Sequence, residues 1–190
     1  MKSRLPQIIY ILAAIFTAGT AVTTILYQST SKEIALTLAI TFGTCAYHFI
    51  MRLLVGFTVN SILHNKVDYR KRWFQVSESE KKIYEKLGVK KWKNKMPTYR
   101  PHWFDPRLHT WKEIAQTMCQ SEVVHEIITV LSFLPVFAGI KFGAYPVFII
   151  TSIVSAGMDL IFVIMQRYNR QRIMKILAAK SKNASHLDKQ

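Results

Sequence analysis

Four long apolar stretches constrain this chain more than any other feature of its sequence. They cover roughly residues 5–27, 34–63, 123–142 and 144–165. Each is long enough, as a helix, to cross a hydrocarbon core of about 30 Å. A chain of 190 residues in which half are apolar is expected to form one membrane domain. The sequence therefore predicts an all-α integral membrane protein with four transmembrane helices.

The positive charges predict the orientation of these helices. Of the 26 lysines and arginines, 23 lie at the N-terminus, in the connection 64–122 or in the tail 166–190. With an even number of spans these three segments share one side of the membrane, and the positive-inside rule assigns that side to the cytoplasm. We therefore predict a multi-pass protein of the cell membrane with both termini cytoplasmic. Residues 1–27 also have the pattern of a cleaved signal peptide, but their apolar run is long enough to span, which favours an uncleaved anchor.

The net charge of +15 indicates the kind of partner. Because this charge lies beside the membrane, we expect anionic lipid headgroups and phosphate-bearing ligands as partners, and no nucleic acid. The two cysteines and the histidines outside the spans show no metal-ligand or redox spacing. The sequence thus gives no indication of a metal or another cofactor.

The connection between spans two and three is predicted to be a cytoplasmic amphipathic segment that is largely helical. Ser77 and Glu80 form a capping box, and the helix that they begin should end at Gly88. In the following segment Val89–Met96, five of the eight residues are polar or charged, and Trp92 and Met96 lie four residues apart. The segment should lie along the membrane surface, with Trp92 in the interface and the lysines toward phosphates.

A second helix is predicted to enter the membrane from this connection. Residues 97–106 carry three prolines and should form an irregular loop. Thr110 and Glu113 have the spacing of another capping box. From Thr110 no helix breaker precedes the third span, and a bend is expected at Pro135.

Ionisable residues inside or at the ends of the spans are candidates for function, because charges are costly in hydrocarbon. They are His48, Arg52, Glu122, His125, Glu126 and Asp159. All fall in the half of the membrane that is predicted to face the cytoplasm, so we expect one cluster with Arg52 beside Asp159. The alternative is that Arg52 and Asp159 form only a buried ion pair between two spans.

Two groups of residues have the chemistry of a catalytic site. Glu122 and His125 are three residues apart, so on a helix the carboxylate can orient the imidazole as a general base. The alternative is a solvated acidic helix entrance. At the end of span four, Asn169 and Arg170 are suited to hold an anion or to polarise a carbonyl. The alternative there is the ordinary positive flank of a span.

Three motifs give the chain a family resemblance. They are Val89–Met96, Ser121–Glu126 before an apolar helix, and Ile164–Arg170, which reads Ile-Met-Gln-Arg-Tyr-Asn-Arg. With them the chain resembles the glycosyl-4,4'-diaponeurosporenoate acyltransferase family, small membrane enzymes of the last step in staphyloxanthin-type carotenoid synthesis. The resemblance covers roughly residues 70–175. The residues that match the family pattern are Trp92, Lys93, Lys95, Glu122, His125, Gln166, Arg167, Tyr168, Asn169 and Arg170.

This resemblance implies transfer of a fatty acyl group from a donor such as acyl-CoA to a hydroxyl of a glycosylated, lipid-linked acceptor. In that reaction His125 with Glu122 would act as the base, and Asn169, Arg170 or Arg52 would stabilise the oxyanion. The expected substrate-binding residues are His48, Arg52, Asp159, Trp92, Lys93, Lys95, Gln166, Arg167 and Tyr168. Lys90, Lys91, Lys93 and Lys95 would offer a surface for phosphates. The alternative hypothesis is a non-catalytic four-span subunit of a larger complex.

Overall fold

A computed structural model of the chain describes residues 3–187, with the backbone alone from 182 to 187. Lys2 and the last three residues of the predicted tail lie outside the described residues. Within this range every regular element is helical, which confirms the all-α prediction. The α-helices are α1 (Leu5–Thr30), α2 (Glu33–Leu63), α3 (Glu78–Lys86), α4 (Val89–Trp92), α5 (Trp111–Leu131), α6 (Gly139–Phe142) and α7 (Tyr145–Leu187).

Four helical segments are long and apolar enough to cross a membrane, as the sequence predicts. They are Leu5–Thr30, Glu33–Leu63, Trp111–Phe142 and Tyr145–Ser181. The third contains the predicted break: α5 ends at Leu131, and the 3₁₀ turn Leu134–Ala138 precedes α6. Pro135 lies in this turn, where its missing N–H prevents a regular helix from continuing. Their length and composition are compatible with a multi-pass membrane protein.

The fourth span has no separate tail after it within the described residues. Helix α7 continues from Tyr145 past Met165 to Leu187 without interruption. The physical reason is that no Gly or Pro follows Met165, while Gln, Arg, Met, Lys, Leu and Ala are all good helix formers. The basic residues of the predicted tail from Arg167 to Lys180 therefore lie on this helix, where their spacing decides which of them share a face.

The described residues form two compact units. We call Arg4–Thr58 with Glu126–Leu160 the apolar unit. In it, Phe16 stacks on Phe49 with ring centroids 5.6 Å apart. The hydroxyl of Tyr47 donates to the carbonyl of Leu131 at 2.8 Å, and Ser132 hydrogen-bonds Ser155 at the same distance. Most large apolar side chains of α1 are exposed, as expected of a helix that faces lipid.

We call Val59–His125 with the described residues from Ile161 onward the basic unit. Its core combines α5, α7 and the start of the connection. The core residues are Tyr69, Phe74, Ile114, Ala115, Met118, Cys119 and Ile173. Both predicted capping boxes are confirmed: Ser77 and Glu80 exchange hydrogen bonds at the start of α3, and Thr110 and Glu113 do so at the start of α5.

The predicted surface segment is also helical over part of its length. Gly88 ends the α3 region with φ +59°, a conformation that glycine adopts without strain. Helix α4 and the 3₁₀ turn Lys93–Lys95 follow it. The loop 97–106 contains one 3₁₀ turn, Pro101–Phe104, and is otherwise irregular.

Candidate active site

The centre of the basic unit is a carboxylate bound by two guanidinium groups. Glu122, on α5, is 0 % exposed, and Arg170, on α7, is 1 % exposed. Oε1 of Glu122 accepts a hydrogen bond from Nη1 of Arg167 at 2.5 Å. Its Oε2 accepts one from Nη1 of Arg170. Charge-assisted bonds of this kind are among the strongest in proteins, so α5 and α7 are firmly joined at this level.

The same two arginines hold a segment that lies more than ninety residues earlier in the sequence. Arg167 donates from Nη1 to the carbonyl of Trp73 at 3.0 Å and from Nη2 to the carbonyl of Gln75 at 3.1 Å. Arg170 donates from Nη2 to the carbonyl of Phe74 at 2.6 Å, and its guanidinium stacks over the Phe74 ring. The carbonyl of the buried Phe74, which could not reach water, is thus given a partner.

Glu80 completes this network from α3. Its Oε1 accepts from Nε of Arg167 at 2.8 Å and from the hydroxyl of Tyr84 at 3.1 Å. Partial burial alone would raise the pKa of Glu80, but the hydrogen bonds from Arg167 and the Ser77 backbone outweigh it and lower that pKa to about 2. Burial, followed by the charge of Glu80, raises the pKa of Tyr84 to about 12. Glu80 is therefore an anion at neutral pH.

The segment Val89–Met96 contacts the end of the fourth span through one lysine. Nζ of Lys93 donates to Oδ1 of Asn169 at 2.6 Å and lies over the ring of Tyr168, 5.4 Å from its centroid. Tyr168 in turn contacts Tyr84 edge to face. Burial, and then the charge of Arg172, lowers the pKa of Lys93. This lysine is therefore a partly desolvated cation that is fixed by specific contacts.

Three further motif residues lie in the basic unit. Nε1 of Trp92 donates to the carbonyl of Leu87 at 3.0 Å, which fixes the indole on its own segment. Lys95 is exposed, and Gln166 is buried on α7.

His125 lies one helical turn after Glu122 and is half-buried. Its imidazole stacks on the ring of Phe162, with centroids 4.8 Å apart and planes 12° from parallel. Because Phe162 belongs to α7, the stacking sets the orientation of the imidazole from a second helix. A half-buried, oriented imidazole has the accessibility that a general base needs.

The ionisable residues of the apolar unit form a different group. Nη2 of Arg52 lies 2.5 Å from Oδ2 of Asp159 and 2.8 Å from Oγ of Ser155, so the predicted proximity of Arg52 and Asp159 is confirmed. Nη1 of Arg52 donates to the carbonyl of His48 at 2.9 Å. The ring nitrogens of His48 are buried without a hydrogen-bond partner among the described residues. A single cluster that also includes Glu122 and His125 stays a prediction.

Sequence reasoning missed the role of several residues in the basic unit. It treated Glu80 only as a helix cap and gave no role to the segment Trp73–Gln75. These residues meet Arg167 and Arg170 only through the fold. One signal was available: two arginines three residues apart share a helix face, and such a face needs acidic or carbonyl partners when it is buried. The described residues contain no group of three or more His, Cys, Asp or Glu arranged to hold a metal ion.

One family model matches the chain. The family model of glycosyl-4,4'-diaponeurosporenoate acyltransferase matches residues 69–179, which include the three motifs and the whole Glu122 network. No curated protein and no solved structure shows significant similarity to the chain. The match covers more than half of the sequence. The chain therefore belongs to the glycosyl-4,4'-diaponeurosporenoate acyltransferase family, whose members are acyltransferases of carotenoid biosynthesis.

Proposed function

We propose that the protein transfers a fatty acyl group from a cytosolic donor such as acyl-CoA to a sugar hydroxyl of a glycosylated carotenoid lipid. The observation that carries this proposal is the convergence of the three motifs on α7 in the basic unit. Glu122 binds Arg167 and Arg170, while Lys93 binds Asn169. Segments far apart in the sequence thus place polar side chains around one end of a span.

The proposed reaction is a direct attack of the acceptor hydroxyl on the acyl carbonyl. His125 takes the hydroxyl proton as the new ester C–O bond forms. The tetrahedral oxyanion then collapses, the C–S bond to the donor breaks, and His125 returns the proton to the leaving thiolate. Stacking on Phe162 supports this role, because it limits the imidazole to one orientation.

We assign the oxyanion contact to Asn169 and Lys93. Because Oδ1 of Asn169 accepts from Nζ of Lys93, the lysine fixes which side of the amide presents its N–H donors. Lys93 adds a partly desolvated positive charge beside them. Such preorganised donors are worth more than mobile ones when negative charge develops.

We assign Glu122, Arg167 and Arg170 to positioning. Both oxygens of Glu122 are bound by guanidinium groups, and Arg170 also binds the Phe74 carbonyl. Arg170 is too buried to reach a substrate, which favours a structural role over a direct oxyanion contact. In this assignment the network fixes the turn of α5 that precedes His125.

The acceptor is a lipid, so its site should lie beside the spans. His48, Arg52 and Asp159 of the apolar unit stay predicted substrate-binding residues, because they are polar groups within apolar helices. Trp92 and Lys95 would contact headgroups at the surface.

We place the donor on the cytosolic side. A cysteine introduced at Ser31 should then react with an impermeant thiol reagent added to intact cells, and one introduced at Lys95 should not; the reverse pattern contradicts a cytosolic donor.

The reaction is tested with purified protein, an acyl-CoA and a glycosylated carotenoid, followed by mass spectrometry of the lipids. The expected product is heavier than the acceptor by one fatty acid less one water. His125→Ala serves as the matched preparation that lacks the proposed base. An acceptor mass that stays unchanged with folded protein and a range of acyl donors would instead favour the non-catalytic subunit.

A further inference from the structure

An open pocket lies on the basic unit beside the Glu122 network. Its volume is about 500 Å³, within the range of pockets that hold a cofactor-sized ligand. The lining residues are Arg72, Trp73, Gln75, Glu80 and Arg167. All five lie within the part of the chain that matches the family model, whereas the chemistry assigned above uses His125, Asn169 and Lys93.

The charge that this pocket presents is positive, because its acidic and carbonyl groups already have partners. Glu80 accepts from Arg167, Tyr84 and the backbone N–H of Ser77. The carbonyls of Trp73 and Gln75 accept from Arg167. Together with the bond to Glu122, these contacts use four of the five N–H donors of Arg167. Arg72 is exposed, and among the described residues its guanidinium has no acidic partner.

The residues before the pocket strengthen its positive potential. Arg70 and Lys71 directly precede Arg72, and both are exposed. Three consecutive cations concentrate positive potential where an anion can approach. A guanidinium that is exposed and unpaired can bind a phosphate through two parallel hydrogen bonds.

Trp73 gives the pocket a second kind of contact. Its side chain is 67 % exposed although its backbone is held by Arg167. An exposed indole beside an arginine offers a flat face on which a purine base can stack. Because Arg167 and Arg170 fix the backbone of residues 73–75, the point from which the Trp73 indole extends is held in place beside Arg72.

We propose that this pocket binds the nucleoside phosphate part of the acyl donor, with its phosphates on Arg72 and its base on Trp73. The inference rests on the proposed function and deepens it, since it identifies the donor as a nucleotide-linked acyl thioester rather than an acyl lipid. The same cations would also attract the phosphates of lipid headgroups, so the test separates these two sources.

The test uses the full chain in uncharged phosphatidylcholine nanodiscs and coenzyme A as the probe, which binds without turnover. Arg72→Gln should weaken coenzyme A binding about 10–100-fold, the usual effect of losing a charged hydrogen bond. Trp73→Leu should weaken it about tenfold through loss of stacking. Lys86→Gln is the matched control, because it removes the same charge from an exposed position of α3 that does not line the pocket; its effect should be about twofold or less. Pantetheine, which lacks the nucleotide, should bind equally weakly to all four proteins.

Two results would overturn the inference. One is coenzyme A binding that is equal in the wild type and Arg72→Gln. The other is an Arg72→Gln variant that no longer binds phosphatidylglycerol vesicles but still binds coenzyme A. This result would assign the pocket to lipid headgroups. Acyl transfer by the wild type, measured in the same nanodiscs, distinguishes the two proposals. Transfer with an unchanged KM for acyl-CoA in Arg72→Gln rejects the pocket alone, whereas no transfer from any donor rejects the function itself.

Discussion

In the apolar unit one arginine binds one aspartate, Arg52 with Asp159, whereas in the basic unit one glutamate, Glu122, binds two arginines. The side chain of Arg52 is 20 % exposed and has a serine as a further partner, so this pair is partly open. Glu122 is fully enclosed, and its arginines also hold three backbone carbonyls. The Arg52–Asp159 pair can be replaced by two apolar residues. Removal of the Glu122 carboxylate would instead leave several buried donors of its two arginines unpaired.

The largest effect is expected from removing the charge at the centre of the network. Glu122→Gln keeps the shape of the side chain but leaves Arg167 and Arg170 without their shared anion. We expect a loss of about 3–5 kcal/mol in the free energy of unfolding, the usual result of breaking a buried ion pair. Unfolding in mixed micelles, followed by circular dichroism, measures it. Glu85→Gln removes the same charge from an exposed position of α3 and should change stability by less than about 0.5 kcal/mol. Equal effects of the two variants would contradict the network.

A somewhat smaller effect is expected in the apolar unit. Asp159→Asn should cost about 3 kcal/mol, at the low end for a buried pair, because Arg52 keeps some exposure and its contact with Ser155. The double variant Arg52→Leu with Asp159→Leu should recover most of this loss, since apolar residues suit a span and often replace an ion pair without cost. The same unfolding measurement applies. A double variant that is less stable than Asp159→Asn would show that the pair supplies more than charge balance.

The smallest effect is a dependence on pH that belongs to Glu80. Its pKa in the folded protein is about 2, below the ordinary value of 4.5. Between these two pH values the unfolded chain therefore binds more protons than the folded protein. The contribution of Glu80 to the free energy of unfolding is fully present above about pH 4.5 and is lost as the pH falls toward 2. The stability difference between the wild type and Glu80→Gln should shrink over this interval. A difference that stays constant from pH 6 to pH 2 would mean that Arg167 does not stabilise the Glu80 anion.

The sequence predicted what depends on local patterns. Hydropathy identifies the four spans, and the spacing of Ser77 with Glu80 and of Thr110 with Glu113 identifies two helix starts, because capping involves residues only three apart. The proximity of Arg52 and Asp159 followed from their depth in the spans. The break at Pro135 followed from the missing backbone donor.

The network of the basic unit could not be predicted in the same way. Arg167 meets Glu80 and the carbonyls of Trp73 and Gln75 across about ninety residues, and no local pattern encodes such contacts. Arg167 and Arg170 directly follow a predicted span, where positively charged residues are common, so their position gave no sign of buried partners. The prediction that Glu122 orients His125 considered only neighbours on one helix, whereas the fold gives this carboxylate two partners from α7.

The account depends most directly on His125 as the base. His125→Ala should keep the unfolding temperature of the wild type, because alanine is well tolerated in a helix and the imidazole is only half-buried. Its kcat for acyl transfer should fall about 10²–10⁴-fold, the usual contribution of a positioned base. Phe162→Leu keeps the imidazole but removes its stacking partner, so its loss should be smaller than that of His125→Ala. Purified His125→Ala with normal stability and full acyl transfer would contradict the central claim.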